Sequence, residues 1–350
     1  MVRVLIFLFL AGFSFPLLSE DLEAYKDVSD KFFIEQQRKL SSGSLAEKIA
    51  AIEKLKGLKT RRALRPLISV LKGVTDNGGE ITKVYALPSD PNEPDRLMNI
   101  DLEEHNAPIL KFLAAQALAE LKHETAMKPM TDVAKQMQEK IDENASTVSY
   151  TNTSYEVNAP NATSEVLRAI GTLVDNLIDL EESSDAPFKP NADAIGLGME
   201  TLKAALAHKH YYIRAGAADG LRNSDRKEAV GILNSAIDGE KNDYAKAAML
   251  GAIIYLQPHN SKRLMELIQL LKSEDSTVRL RASDCLGNAS VAVSEPYLRQ
   301  ALQYEPNVSV REQMKADLSR VTNYRVPGAP TNALYKDNSA GNDVPSPNRK

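Results

Sequence analysis

The chain has 350 residues, of which 43% are hydrophobic and 26% are charged, and it contains 17 Gly and 17 Pro. The apolar residues are numerous enough to bury a core, which excludes a wholly disordered chain. The low numbers of Gly and Pro exclude a collagen-like or Pro-rich fibre. Aromatic residues make up only 6% with no Trp, which favours helices over sheets, and the net charge of -4 gives no overall field that would attract nucleic acid.

The N-terminus has the pattern of a secretory signal peptide. Arg3 precedes the apolar run 4–13, and cleavage is predicted after Ser19. We therefore expect residues 1–19 to be a signal peptide, the protein to be periplasmic or secreted in a bacterial cell envelope, and no membrane span after cleavage. An uncleaved anchor is the alternative, because Leu17 is larger than the residue that such cleavage sites prefer.

Residues 20–43 are predicted to form an N-terminal capping helix. Leu22, Tyr25, Val28 and Phe32 recur there at helical spacing, so one face of the helix is apolar. An apolar face needs a neighbour that covers it, and we expect the next helices along the chain to do so.

After this segment a pattern repeats about every 32 residues. An aliphatic residue followed by a cation opens each unit, and the four clearest cations are Arg214, Lys246, Arg279 and Arg311. Three of these four units have Asn or Asp four residues before the cation, which suits a helix start. Seven residues after the cation comes a large apolar residue on the same helical face. The core positions predicted by this frame are Leu118, Leu221, Ile253, Leu286 and Leu318.

A second apolar segment follows ten or eleven residues beyond each core position, and several of these segments open with Pro. Proline is favoured in the first turn of a helix, where its missing N–H is not needed. The repeating unit is therefore helix, tight turn and helix, which is the size and order of an α-solenoid repeat.

The pattern resembles the HEAT-repeat family, in particular its short subclass related to the bilin lyases. Residues 275–287, Asp-Ser-Thr-Val-Arg-Leu-Arg-Ala-Ser-Asp-Cys-Leu-Gly, match the first helix, while residues 126–129 and 63–66 match the opening of the second. The resemblance implies an all-α fold, a right-handed α-solenoid of HEAT-like helix pairs (an armadillo-like superhelix) with inserted loops or hairpins. It also implies that the four repeated cations form a structural ladder between repeats and that the second helices line the concave face.

The repeats are predicted to span residues 44–323, with insertions at 75–106, 144–163 and 181–190. The first two insertions contain short alternating segments, so a hairpin or an extended loop is expected there, and the third is an acidic connection bounded by Pro. Residues 324–350 are rich in Pro, Gly and Asn and are predicted to form a disordered tail.

The sequence carries no motif typical of an enzyme, a cofactor site or a metal site. His208 and His210 are the closest pair of histidines, and a metal site needs three or four converging ligands. The deoxyhypusine hydroxylases, which share this scaffold, use several His-Glu pairs, whereas this chain has one, His123-Glu124. Cys285 is expected to be a buried, inert thiol. We therefore expect no catalytic, cofactor-binding or metal-binding residues.

The leading hypothesis is a non-catalytic exported scaffold that binds a protein or peptide partner, of unknown identity, through its concave face and inserted loops. The predicted contact residues are polar positions on the second helices: Lys128, Asp132, Lys135, Arg263, Glu266, Gln269, Arg299 and Gln303. One alternative is an enzyme or chromophore-handling protein whose pocket is formed by the insertions 75–106 and 144–163. The other alternative is a structural spacer of the cell envelope with no dedicated ligand.

Overall fold

A computed structural model describes residues 30–73, 83–86, 96–99, 108–143, 145, 159–184, 186, 188–289 and 291–323. The described residues form fourteen α-helices, three short 3-10 helices and one pair of strands. The helices are α1 (Asp30–Ser42), α2 (Leu45–Gly57), α3 (Leu64–Lys72), α4 (Pro108–Glu120), α5 (Met127–Glu139), α6 (Ala159–Glu182), α7 (Ala192–Ala205), α8 (Tyr211–Asn223), α9 (Lys227–Ile237), α10 (Asp243–Leu256), α11 (Ser261–Leu270), α12 (Ser276–Ala289), α13 (Glu295–Tyr304) and α14 (Val308–Asn323). The predicted signal peptide 1–19 and the predicted tail 324–350 lie outside the described residues.

The helices come in sequential pairs, which confirms the all-α class and the predicted helix-pair repeat. The even-numbered helices from α2 to α12 are first helices, each followed by its second helix, and α14 is a first helix that ends the described chain. The chain divides into two compact units with a boundary inside α7, between Leu202 and Lys203. In the first unit, α4 packs against α2, α3 and α6; in the second, α8, α10, α12 and α14 pack in series. Each unit therefore has a layer of packed first helices.

The helix starts are capped at the residues that the repeat frame marks. Asn242 accepts the backbone N–H of Ala245 at 3.1 Å, and Asn307 accepts that of Val310 at 3.2 Å. At the first junction of the second unit, the cap is the ring of His210, whose Nδ1 accepts the N–H of Tyr212 at 3.2 Å. Each cap satisfies a backbone donor that the helix itself leaves free.

The predicted core positions lie inside the helix layers. Leu118, Leu221, Ile253 and Leu286 have no exposed surface, and Leu318, on the last described helix, is 9% exposed. Because burial of a Leu or Ile side chain contributes about 1.5–3 kcal/mol, each of these residues stabilises the helix layer of its own unit.

The N-terminal helix α1 differs in detail from the sequence prediction. In α1 the fully buried aromatic residue is Phe33, with Leu40 on the same face, whereas Phe32 is half-buried. The buried face of α1 is formed by residues 33, 36, 37 and 40. The buried aromatic residue therefore lies one position after the predicted one, Phe32. The predicted partners Leu22, Tyr25 and Val28 lie outside the described residues.

Within the insertion 75–106 the structure contains two antiparallel strands, β1 (Lys83–Ala86) and β2 (Arg96–Asn99), with Lys83 opposite Asn99. Helix α6 begins at Ala159, so the last residues of the predicted insertion 144–163 are helical and not extended. The same helix ends at Glu182, inside the predicted connection 181–190. The ammonium group of Lys189 then donates to the carbonyl oxygens of Glu181 and Ser183 at 2.6 and 2.8 Å, which satisfies backbone acceptors at the end of α6.

Within the described ranges, no helix combines the length and the apolar character that a membrane crossing requires.

Two first helices of the second unit, α10 and α12, approach each other closely at a glycine, which has no side chain. A Cβ atom on Gly251 of α10 would lie 2.4 Å from Sγ of Cys285 on α12, far inside van der Waals contact. This contact shows that α10 and α12 pack through a glycine, and a larger residue must push the helices apart.

We expect Gly251→Ala to lower the free energy of unfolding by about 1–3 kcal/mol, because the new methyl group overpacks the α10–α12 contact. The matched control is Gly231→Ala on α9, where an added Cβ meets no atom within 4 Å. That change is expected to stabilise the protein by about 0.5–1 kcal/mol through helix propensity alone. Urea unfolding of both variants measures the difference, and equal shifts in the two would contradict close packing at Gly251.

Candidate functional site

The repeated arginines join successive repeats through carboxylates. Arg214, near the start of α8, forms a bidentate pair with Glu240, with Nε and Nη2 at 2.6 and 2.7 Å from the two carboxylate oxygens. Its remaining Nη1 donates to the carbonyl oxygens of His208 and Lys209 at 2.9 Å. One guanidinium thus ties the loop before its own helix to the loop before the next first helix, in the fork geometry that favours Arg over Lys.

The same arrangement recurs two repeats later. Arg279 of α12 pairs with Glu305 through two contacts of 2.7 Å and donates to the carbonyl oxygens of Ser273 and Glu274. Arg311 of α14 donates to the carbonyl oxygen of Glu305 at 2.8 and 3.0 Å. We call each Arg–Glu pair a rung. Lys246, at the equivalent position of α10, forms no ion pair within the described part of the chain.

The rung carboxylates are held in their charged form. The hydrogen bond from Arg279 lowers the pKa of Glu305 below its usual value, against the opposing effect of burial, and the backbone N–H of Asn307 lowers it further. Burial acts to raise the pKa of Glu240, but the bonds from Arg214 and from the N–H of Asn242 outweigh it, so the pKa of Glu240 is also lowered. Both rungs are therefore ion pairs at neutral pH.

A surface cleft opens between the second helices α11 and α13, next to the rung Arg279–Glu305. Its volume is about 320 Å³. The lining residues are Ile268, Leu271, Lys272, Ser273, Arg279, Tyr297, Gln300, Ala301, Tyr304, Glu305 and Pro306. The aromatic ring of Tyr304 at the rim is 72% exposed, and Val308 beyond it is 65% exposed. The lining combines apolar and aromatic side chains with polar groups, several of which lie where the rung and the α11–α12 loop meet the cleft.

The predicted contact residues on the second helices fall into two groups. Three pairs of side chains are engaged in ion pairs on the same helix: Lys128 with Asp132, Arg263 with Glu266, and Arg299 with Glu295. Arg263 also contacts Asp238 and Asn234 and is only 13% exposed, so it ties α11 to α9 instead of facing solvent. Lys135, Gln269 and Gln303 are exposed. None of the eight lines the α11–α13 cleft.

The predicted contact residues do not include those of the cleft, because the prediction relied on long polar side chains of the second helices. Tyr297, Ala301 and Tyr304 recur at helical spacing on α13 and mark the face that borders the cleft. An exposed Tyr on such a face was the signal available in the sequence, since Tyr is enriched at binding surfaces.

A second polar cluster lies on the first helices of the second unit. The guanidinium of Arg281 on α12 contacts the carboxylate of Asp219 on α8, and both side chains are more than nine-tenths buried. It also lies 5.7 Å from the ring centre of Tyr244, and its Nε has no hydrogen-bond partner among the described residues. Farther along, Arg320 contacts Asp317 and lies 3.2 Å from Asp284. The charges of this cluster are paired with one another, so removing one partner would leave another charge buried without compensation.

Cys285 lies beside this cluster. Burial raises the pKa of its thiol to about 11, so it is protonated at neutral pH. In the described ranges, no three His, Cys, Asp or Glu side chains converge in a way that would hold a metal ion. The alternative pocket between the insertions 75–106 and 144–163 lies largely outside the described residues.

No protein-family model matches the chain, and no curated protein matches it either. Its structure is similar to that of the complex of CpcE and CpcF of phycocyanin lyase from Nostoc sp. PCC7120, with 13% identity, a TM-score of 0.39, and coverage of 84% of this chain and 95% of that one. It is also similar to human deoxyhypusine hydroxylase in complex with glycerol, with 16% identity, a TM-score of 0.32, and coverage of 86% and 88%. An engineered protein is similar at 15% identity and a TM-score of 0.28, with coverage of 83% and 96%. These likenesses concern the course of the helices alone.

Proposed function

We propose that this protein is a non-catalytic, exported helical-repeat scaffold that binds an extended segment of a partner polypeptide. The observation that supports binding is the cleft between α11 and α13, with Tyr297 and Tyr304 along it. Export is supported by the sequence, through Arg3 and the apolar run 4–13 that follows it.

The shape of the cleft favours a polypeptide as its ligand. A volume of about 320 Å³ is at the low end for a small-molecule pocket and has room for one or two large side chains. The apolar surface continues outward over Tyr304 and Val308, so a chain that places a side chain in the cleft also contacts the rim. Tyrosine suits this role because it offers a large contact area with few rotatable bonds.

The charges at the cleft favour binding over acid–base catalysis. Arg279 and Glu305 are joined to each other by two hydrogen bonds, so each is already neutralised. A general acid or base needs a proton that it can exchange near neutral pH, whereas the pKa of Glu305 is lowered by this pairing. Lys272, Ser273 and Gln300 remain as polar groups that can contact the backbone of a bound segment.

The proposal is tested by selecting a random peptide library on the full-length protein and measuring the Kd of the selected peptides by fluorescence anisotropy. We expect Tyr304→Ala to raise Kd by about tenfold or more, because Tyr304 is a cleft-lining aromatic side chain with a large exposed area that a bound segment would cover. Tyr255→Ala is the matched control, since Tyr255 is 45% exposed on the first helix α10, away from the cleft. Peptides that bind both variants as well as the unmodified protein would contradict the proposal.

A further inference from the structure

The junctions between repeats in the second unit share one hydrogen bond that defines equivalent positions. The side chain two residues before each helix cap accepts the N–H of the cap residue. Glu240 accepts from Asn242 at 2.8 Å, and Glu305 accepts from Asn307 at 2.9 Å. At the junction between α11 and α12, the hydroxyl of Ser273 accepts from Asp275 at 3.3 Å. Ser273 therefore occupies the position of the two rung glutamates.

This equivalence explains why Lys246 has no partner acid. In the intact rungs, Arg214 reaches Glu240 and Arg279 reaches Glu305. Each acid stands six residues before the repeated cation of the next first helix, as Ser273 stands six residues before Arg279. Lys246 stands at the position of these arginines in α10, and the acid that would complete its rung is replaced by a short neutral serine. No ion pair of Lys246 or of Lys272, which precedes Ser273, exists within the described part of the chain.

The junction therefore has donors without the carboxylate that the neighbouring junctions contain. By the repeat equivalence, a carboxylate at the site of the missing Glu side chain would face the Lys246 ammonium group and the Ser273 hydroxyl, whose oxygen already accepts the N–H of Asp275, and Lys272 adds a second positive charge. The carboxylate of Asp275 is not available for this role, because it accepts from the N–H and the hydroxyl of Thr277 at 2.8 Å.

The incomplete rung borders the cleft between α11 and α13. Lys272 and Ser273 line the same cleft as Tyr297 and Tyr304. We infer that the partner segment supplies a carboxylate, from an Asp or Glu side chain or a C-terminus, which completes the rung at Lys246 and Ser273 while an adjacent apolar side chain enters the cleft. This inference rests on the proposed function and adds the chemistry of the partner: an acidic group next to an aromatic or aliphatic one.

The test uses two small probes that differ only in charge, hydrocinnamate and its amide, hydrocinnamide. Each carries a phenyl ring for the cleft, and only the first carries a carboxylate. Binding to the full-length protein at low salt is followed by proton–nitrogen correlation spectra. We expect hydrocinnamate to bind about tenfold more tightly than the amide, since a charge-assisted hydrogen bond is worth roughly that factor. The largest shifts are expected at Ser273, Lys246 and the N–H of Asp275.

The decisive variant is Ser273→Glu, which restores the rung inside the protein. It is expected to raise Tm by about 2–4 °C and to remove the preference for hydrocinnamate over the amide, because its own carboxylate takes the site. Lys262→Glu, on exposed α11 surface, lowers the net charge by two units where Ser273→Glu lowers it by one, and it is still expected to alter the preference less than twofold because it lies outside the cleft.

Three outcomes would count against the inference. Equal binding of acid and amide in the cleft would overturn the carboxylate site and leave the polypeptide-binding proposal standing. A preference for the acid that survives Ser273→Glu, or that Lys262→Glu removes equally, would place the charge recognition elsewhere. If neither probe shifts a cleft residue, the cleft fails as a binding site, and the proposed function loses its support together with the inference.

Discussion

Replacing Arg281 by methionine is expected to lower the free energy of unfolding by about 3–5 kcal/mol. Arg281 and Asp219 are both more than nine-tenths buried, and their contact joins α12 to α8 across 62 residues of chain. Methionine fills much of the same volume but leaves the carboxylate of Asp219 buried without the guanidinium that contacts it, while Arg222 stays at 3.7 Å. A buried charge without its partner is costly because water no longer solvates it.

A double mutant separates the charge from the packing. The variant Arg281→Met with Asp219→Leu removes the buried carboxylate together with its main partner, so it is expected to be more stable than Arg281→Met alone. Arg226→Met, which breaks the exposed pair Arg226–Glu228, is expected to change stability by less than about 0.5 kcal/mol. Guanidinium unfolding followed by circular dichroism measures all three variants. If Arg281→Met and Arg226→Met cost the same, the buried pair is not a principal support of the helix layer.

Glu305→Ala is expected to lower the free energy of unfolding by about 2–3 kcal/mol at neutral pH, because it removes two charge-assisted hydrogen bonds to Arg279 and the cap contact to the N–H of Asn307. The matched control is Ser273→Ala at the equivalent position of the incomplete rung. It removes one hydrogen bond of 3.3 Å and no ion pair, so a loss below about 1 kcal/mol is expected. A similar loss in both variants would show that the rung ion pair adds nothing to the cap.

The pH dependence of this effect has a definite sign. Because the folded pKa of Glu305 is lowered, its contribution is fully present above the unfolded value near 4.5 and is lost as the pH falls through the folded value. The stability difference between the unmodified protein and Glu305→Ala should therefore be constant from pH 7 to about pH 5 and shrink at lower pH. Urea unfolding at several pH values measures this difference, and a gap that widens on acidification would contradict the pairing.

The helix pairs were predictable because their signals are local. Asn242 and Asn307 precede their helices by one residue, and the apolar positions that follow lie within two turns. The same frame predicted a residue such as Ile253, which is fully buried, because a helix with a continuous apolar stripe must cover it. His210 caps α8 although it is neither Asn nor Asp. At this helix start, the position of a residue within the repeat predicts the cap better than the residue type does.

The candidate site was less predictable because it depends on gaps between helices. The predicted contact residue Arg263 turned inward to Asp238 and Glu266, since both acids lie within its reach once α9 and α11 are adjacent. Tyr297 and Tyr304 became the cleft walls for the converse reason, because no side chain of α11 fills the space before them. The polarity of a residue alone did not distinguish a side chain that turns toward a neighbouring helix from one that borders the cleft.

The repeat length, the helix starts and core positions such as Leu221 and Leu286 follow from the amino-acid pattern, because they arise from hydrogen bonds and apolar spacing within a few residues. Three other features are visible only in the folded protein: Arg281 contacts Asp219, α10 and α12 touch at Gly251, and a cleft opens between α11 and α13. These features depend on how one repeat is placed on the next. That placement is set by the shape and size of side chains far apart in the chain, which a local pattern does not encode.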